Sequence, residues 1–181
     1  LRQLRGGELD LLLMALPVRH EGLETLALFE EPFRVALPVG HPLAERDRLR
    51  ESDLEDYGIL LLEEGHCLRD QALAICQSPR VIEEFTASSL ETLRQMVAAG
   101  IGLTLLPELA IRLDSEMAYR QLIEIRPFAP PAPSRTIGLA WRRQFPRQAT
   151  IGALVEVVQH HLPSGLNQMK PCPRNRSTDH C

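Results

Sequence analysis

Lysine is almost missing from this chain. Lys170 is the single lysine among twenty Lys and Arg residues. It lies near the C-terminal end, so the body of the sequence has no lysine for a Schiff base or a phosphate-binding loop. Positive charge is also in deficit: a formal net charge of −4 argues against a basic surface that grips nucleic acid. No apolar run approaches the roughly 20 residues needed to cross a bilayer, and no membrane association is expected. Nor does the start read as a signal peptide. Leu1-Arg-Gln-Leu-Arg5-Gly-Gly7 reads instead as the last turn of a helix ending at glycine, cut from something longer. Without an export signal the expected compartment is the reducing cytoplasm. There a cysteine pair is more often catalytic, metal-binding or redox-sensing than a standing disulfide. Internal repeats and low-complexity tracts are absent, and so are Cys-x-x-Cys and His-x-x-x-His spacings.

What is present is an ordinary globular composition, with 44% hydrophobic and 24% charged residues in 181, long enough to bury a real core. Strand and helix patterns alternate. Leu9–Leu16, Thr25–Phe29, Phe33–Val39, Gly58–Leu62, Ile101–Leu106, Leu122–Ile125 and Arg135–Trp141 read as strands. A short helix suits Ser52–Glu55, and longer ones suit Leu68–Ile75 and Thr150–His161. Ser88-Ser-Leu-Glu91 is a capping box opening a helix with Leu90, Leu93, Met96 and Val97 at helical spacing, closed by Gly100. Pro107 is suited to open a short helix. The alternation implies an α/β fold with a largely parallel sheet. The chain is expected to cross between subdomains near Glu30–Arg34 and again at the proline stretch Pro127–Pro133. Residues 34–133 would then form one inserted lobe and residues 1–33 with 134–163 the other, left incomplete because a strand and helix should precede Leu1. Residues 164–181 form a polar tail, expected to be disordered, in which Cys172 and Cys181 are taken as incidental.

The segment Glu63-Glu-Gly-His66-Cys67-Leu-Arg69-Asp-Gln-Ala-Leu-Ala-Ile-Cys76 carries the most chemistry. Cys67 follows a Gly-His turn at or near a helix start. The positive end of the helix dipole, His66 and Arg69 would all favour the thiolate, which is the reactive form. The plainer alternative is a partly buried small residue with no chemistry. Cys76 lies nine residues on, which in a continuous helix is about 13.5 Å along the axis and half a turn around it. A disulfide needs Cα atoms within about 7 Å, so any bond between these two would require the helix to unwind. Glu63, Glu64, His66 and Cys67 include metal-ligand types, but no spacing gathers them into a site, and neither metal nor cofactor is expected.

The run Glu63-Glu-Gly-His-Cys-Leu-Arg-Asp-Gln-Ala72 with Cys76, then Ala87-Ser-Ser-Leu-Glu-Thr-Leu-Arg-Gln-Met-Val-Ala-Ala-Gly-Ile-Gly-Leu-Thr-Leu-Leu-Pro107, and later Arg135-Thr-Ile-Gly-Leu139, resembles the OxyR family. The second run is shared with LysR-type effector domains at large; Gly-His-Cys-Leu-Arg-Asp-Gln with a second cysteine nine residues on narrows it to that family. The resemblance extends from about Leu1 to about His161 and leaves the tail out. It implies a periplasmic-binding-protein-like regulatory domain of two Rossmann-like lobes that senses hydrogen peroxide and controls oxidative-stress genes. By the same resemblance Cys67 would be the peroxidatic cysteine and Cys76 the resolving one, joined in a reversible disulfide that glutathione and glutaredoxin reduce. His66 and Arg135 would hold peroxide and stabilise the thiolate. Homo-oligomers would form through these domains, and promoter DNA and RNA polymerase would be partners only of a full-length protein. No helix-turn-helix is present. The family's pocket threonines would precede Leu1.

Two competing readings follow from the same residues. Ser88 and Ser89, at a capped helix start, could border a cleft for a small organic anion, with the cysteines inert. A thiol peroxidase is disfavoured because no peroxidase or thioredoxin-like motif occurs, so no enzyme activity is expected. Gly100-Ile-Gly102 ends a helix where a nucleotide-binding loop would open one, and reads as a tight turn. Arg142 and Arg143 are taken as solvated charges at a strand end.

Overall fold

A computed structural model describes residues 1–18, 20–76, 80–112 and 121–169. Strands β1 (Leu11–Leu16), β2 (Leu23–Pro38), β3 (Gly58–Leu62), β4 (Arg80–Ala87), β5 (Thr104–Pro107), β6 (Ile123–Pro127), β7 (Ser134–Arg142) and β8 (Asn167–Gln168) alternate with helices α1 (Arg2–Gly6), α2 (Cys67–Ile75), α3 (Leu90–Ala98), α4 (Glu108–Arg112) and α5 (Gln148–His160). Two single 3-10 turns, Pro42–Glu45 and Glu51–Leu54, lie between β2 and β3. The chain divides into two compact units, Pro32–Ser134 as one and Leu1–Glu31 with the chain from Arg135 onward as the other.

In the unit built from the chain ends, β1 and β7 pair antiparallel from Leu11↔Trp141 to Leu16↔Thr136. Gly138 on β7 lies so close to the backbone of Leu26 that a Cβ there would collide with it, which is why a bare glycine interrupts an otherwise bulky strand. Helix α5 buries Ile151 and Val155, and Leu28, Phe29, Leu139 and Trp141 are buried in the same unit. The polar tail begins later than its composition suggests. Asn167 and Gln168 form β8, antiparallel to Glu30 and Phe29 of β2, while residues 170–181, with Cys172 and Cys181, lie outside the described part. Arg142 is not a solvated strand-end charge: its Nη1 donates to the carbonyls of Leu4 (2.5 Å) and Leu9 (2.6 Å), and its Nη2 to Asp10 (3.1 Å). These bonds tie the end of α1 to β7.

In the other unit, the second half of β2 pairs antiparallel with β5 and with β6. β3 pairs parallel with β4, and Ile59 of β3 bridges Leu103 in the parallel sense. The expected largely parallel sheet is therefore corrected: the β1–β7, β2–β5, β2–β6 and β2–β8 pairings are antiparallel. A helix between two strands implies parallel pairing only when those strands are neighbours; here β2 returns from β1 through a short connection and serves as partner to later strands. The core joins Leu54 of the second 3-10 turn, Ile59–Leu62 of β3, Leu68, Ala72 and Cys76 of the α2 region, Leu93 and Val97 of α3, and Leu103, Leu105 and Leu106. Gly102 packs against β3, where an added Cβ would fall 2.8 Å from the Gly58 carbonyl oxygen and 2.7 Å from Ile82 Cδ1. Gly100, at φ 78°, makes the left-handed turn out of α3. Two chemically different demands thus account for the Gly-x-Gly.

Candidate functional site

Strand β3 delivers the chain to the cysteine segment. Its end is fastened by Glu63, whose N–H donates to the Ala87 carbonyl at 3.0 Å. Gly65 then turns at φ 91°, a left-handed conformation that a side chain would resist. His66 is the N-cap residue of α2 and Cys67 its first helical residue. The His66 carbonyl accepts from Arg69 N–H at 2.9 Å, which closes the first turn. Both His66 and Cys67 are exposed. Arg69, two residues on, has a backbone partner for its guanidinium. Its Nη1 donates to the Leu62 carbonyl at 3.0 Å, locking α2 to the end of β3.

Cys76 is at the opposite end. It caps α2, its N–H donating to the Ala72 carbonyl at 3.2 Å, and it is 4% exposed within the core. Burial and, secondarily, the negative charge of Glu51 push its thiol up to about 11 from an ordinary 9.0. Both cysteines are free. One unbroken helix therefore separates an exposed cysteine at its positive end from a buried one at its negative end. The nine-residue span corresponds to about 13.5 Å of helix rise, beyond the roughly 7 Å that a disulfide tolerates between Cα atoms.

Arg135 is the second residue of β7 and belongs to the unit built from the chain ends. Its Nε and Nη2 both lie 2.8 Å from Glu31 Oε2, and Glu31 is fully buried. The sequence reading missed Glu31. No local signal marks it, since its partner is 104 positions away, and a paired Glu30-Glu31 looks like a polar break. Ser89, and not Ser88, caps α3: its Oγ accepts from Thr92 N–H at 3.1 Å and meets the Thr92 hydroxyl at 3.0 Å. The N-cap is thus one residue later than the Ser88–Glu91 frame, and the reciprocal capping box expected there is replaced by a single N-cap bond to Thr92. With its oxygen already engaged, Ser89 is a structural cap. Among the described residues no group of three or more His, Cys, Asp or Glu side chains is placed to hold a metal ion, and no helix is long and apolar enough to cross a membrane.

Residues 1–163 match the family model described as the LysR substrate binding domain. Over 164 residues the chain is 40% identical to a hydrogen peroxide-inducible genes activator of Pectobacterium carotovorum, covering 90% of this chain and 53% of that protein. The chain spans about half the length of the curated relatives it matches. Among solved structures it resembles the reduced form of the OxyR regulatory domain from Pseudomonas aeruginosa, at 42% identity and a TM-score of 0.76, covering 88% of this chain and 76% of that one. It also resembles a hydrogen peroxide-bound mutant OxyR from Corynebacterium glutamicum, at 33% identity and a TM-score of 0.78, covering 88% of this chain and 51% of that one. The chain belongs to the LysR substrate-binding-domain family, within its OxyR branch of regulatory domains.

Proposed function

We propose that this chain is the peroxide-sensing regulatory portion of an OxyR-type transcription regulator, with Cys67 peroxidatic and Cys76 resolving. The observation that carries the reading is the placement of the two thiols at opposite ends of α2, one exposed and one buried. Relatives named for hydrogen peroxide support it over an organic-anion effector. Cys67, as thiolate, attacks one peroxide oxygen and displaces hydroxide, giving a sulfenic acid; hydroxide takes up a proton and leaves as water. Unwinding of α2 brings Cys76 to the sulfenic sulfur. The S–S bond forms and a second water leaves with the sulfenic oxygen and the Cys76 proton. Two glutathione thiols, delivered through glutaredoxin, return the pair to thiols and become glutathione disulfide.

Peroxide binding and support of the thiolate are the roles proposed for His66 and Arg135 on family resemblance. Arg135 comes to that role already oriented by Glu31. The oxidised chain reports by changing the assembly of a homo-oligomer in the cytoplasm, and DNA and RNA polymerase are contacted only by the longer protein. One oxidation per switching event suffices, so the reading is of a sensor and not of an enzyme. Lobes of residues 34–133 and of 1–33 with 134–163 are the working division for this proposal.

The test is to expose the reduced chain to a small excess of hydrogen peroxide and map its cysteines by mass spectrometry, beside Cys67→Ser and Cys76→Ser variants. A Cys67–Cys76 disulfide, and a sulfenic acid trapped on Cys67 when Cys76 is absent, is the expected result. Uniform, slow oxidation of all cysteines in folded protein would refute it.

A further inference from the structure

The turn that presents Cys67 is closed on itself by a circuit of hydrogen bonds. Glu63 N–H donates to the Ala87 carbonyl at 3.0 Å, His66 N–H to the Glu63 carbonyl at 3.4 Å, and Arg69 N–H to the His66 carbonyl at 2.9 Å. Arg69 then reaches back seven residues, its Nη1 donating to the Leu62 carbonyl at 3.0 Å. Cys67 lies inside this circuit and Cys76 outside it. His66 makes no side-chain cap bond, so the guanidinium of the half-buried Arg69 takes over the fastening of the turn to the end of β3. The other end of α2 is made differently. It stops in extended backbone at Cys76, with φ −89° and ψ 99°. None of Gln77, Ser78 and Pro79 is a glycine of the kind that closes α3 at Gly100. Asp70 in the first turn suits the positive end of the helix dipole, but no basic residue matches it in the last turn. That end is held mainly by packing: Leu68, Ala72 and Cys76, spaced four apart, are buried in the core, and only Leu68 belongs to the circuit.

Two thiols at opposite ends of a helix can meet in two ways, by movement of either end. A turn held by directed bonds and an end held by packing do not open together, because local unfolding starts where fewest bonds must break. We propose that Arg69 is a positioning residue that sets the direction of the switch. By closing the circuit on Leu62 it keeps Cys67 at its turn while α2 is undone from the Cys76 end, so that the resolving cysteine travels to the peroxidatic one. This rests on the roles assigned to the two cysteines above. The Cys76 sulfur attacks the Cys67 sulfenic sulfur, the S–O bond breaks, and the hydroxyl leaves as water with the Cys76 proton. Residues 70–75 form the released stretch, and in extended form they span about 20 Å, enough to fold back on Cys67.

The test uses the full chain with Cys172 and Cys181 changed to Ser, beside Arg69→Met and Arg69→Lys versions of it. Amide exchange is read residue by residue before and after one equivalent of hydrogen peroxide has formed the disulfide. In the parent, the amides of residues 72–76 are expected to lose protection on oxidation while those of Glu63 and His66 keep theirs. That comparison needs no variant to fold. In Arg69→Met the Glu63 and His66 amides should lose protection as well, and quenched-flow trapping should show the Cys67 sulfenic acid persisting several-fold longer before the disulfide forms. The α3 amides, unchanged throughout, exclude a general loosening of the fold. Arg69→Lys, which keeps a donor for the single Leu62 carbonyl, should move both readings back toward the parent. Glu63 and His66 amides exposed together with those of residues 72–76 in the oxidised parent would overturn the assignment. So would an Arg69→Met protein with the parent's exchange pattern and sulfenic acid lifetime. If the disulfide forms in those cases, only the role of Arg69 fails; if the unaltered chain forms none, the redox reading fails with it.

Discussion

Replacing Ala74 by glycine probes the cost of unwinding α2 without touching either thiol. Ala74 is exposed and one residue from the end of the helix, so the substitution leaves the core contacts of Leu68 and Ala72 intact. Glycine in a helix is less favourable than alanine by roughly 0.5–1 kcal/mol, from its greater backbone freedom. If the disulfide forms only from an unwound segment, that penalty falls on the reduced state and not on the oxidised one. The oxidised form then gains about 0.5–1 kcal/mol relative to the reduced form. For a two-electron couple, where 30 mV corresponds to about 1.4 kcal/mol, this lowers the reduction potential by ~10–20 mV. If the helix is lost before the second sulfur attacks, resolution of the Cys67 sulfenic acid accelerates by roughly two- to fivefold. The assay is equilibration in glutathione buffers with the thiol and disulfide forms separated by mass, together with stopped-flow of the resolving step. A potential and a rate both unchanged, in a variant whose urea stability shows the expected helix penalty, would refute the claim that unwinding is coupled to disulfide formation.

Two other outcomes follow from the geometry. Ser89→Ala should cost about 1 kcal/mol in urea unfolding, because it orphans the Thr92 N–H at the start of α3, whereas Ser88→Ala should be near neutral; equal effects would contradict the shifted cap. Cys76 binds its proton more tightly in the folded chain than in the unfolded one, so its contribution to stability is complete below the ordinary thiol value of 9.0 and is lost as pH rises toward about 11. A Cys76→Ser protein should lose less stability over that window, which unfolding at stepped pH would measure.

The parts of the fold most legible in the sequence were those whose signal is local. Strand β3 is an uninterrupted run, Ile59–Leu62, buried to the last residue, and α2 and α3 follow their apolar spacing. Failures came where the stabilising partner is distant. Strand β2 looked like two strands because Glu30, Glu31 and Pro32 break its apolar run, yet it continues from Leu23 to Pro38. Glu31 is carried through that stretch fully buried because Arg135 neutralises it, and a charge paired across the fold is indistinguishable from a loop charge when read along the chain. β4 was missed because Glu83, Glu84, Phe85 and Thr86 are all exposed. An edge strand of a two-stranded pair shows no alternation to detect. At the candidate site, the Gly-His-Cys turn and the second cysteine were readable from motif and spacing. The opposite exposures of Cys67 and Cys76 and the bond from Arg69 to the Leu62 carbonyl were not, since each depends on what the third dimension places beside it.

The most direct test of the account is amide hydrogen exchange along α2, measured on the reduced chain and again after one equivalent of hydrogen peroxide has formed the Cys67–Cys76 disulfide. The account predicts protected α2 amides in the reduced chain and loss of that protection across the segment on oxidation, while the β3 and α3 amides keep most of theirs. A disulfide formed between Cys67 and Cys76 with α2 protection unchanged would contradict it.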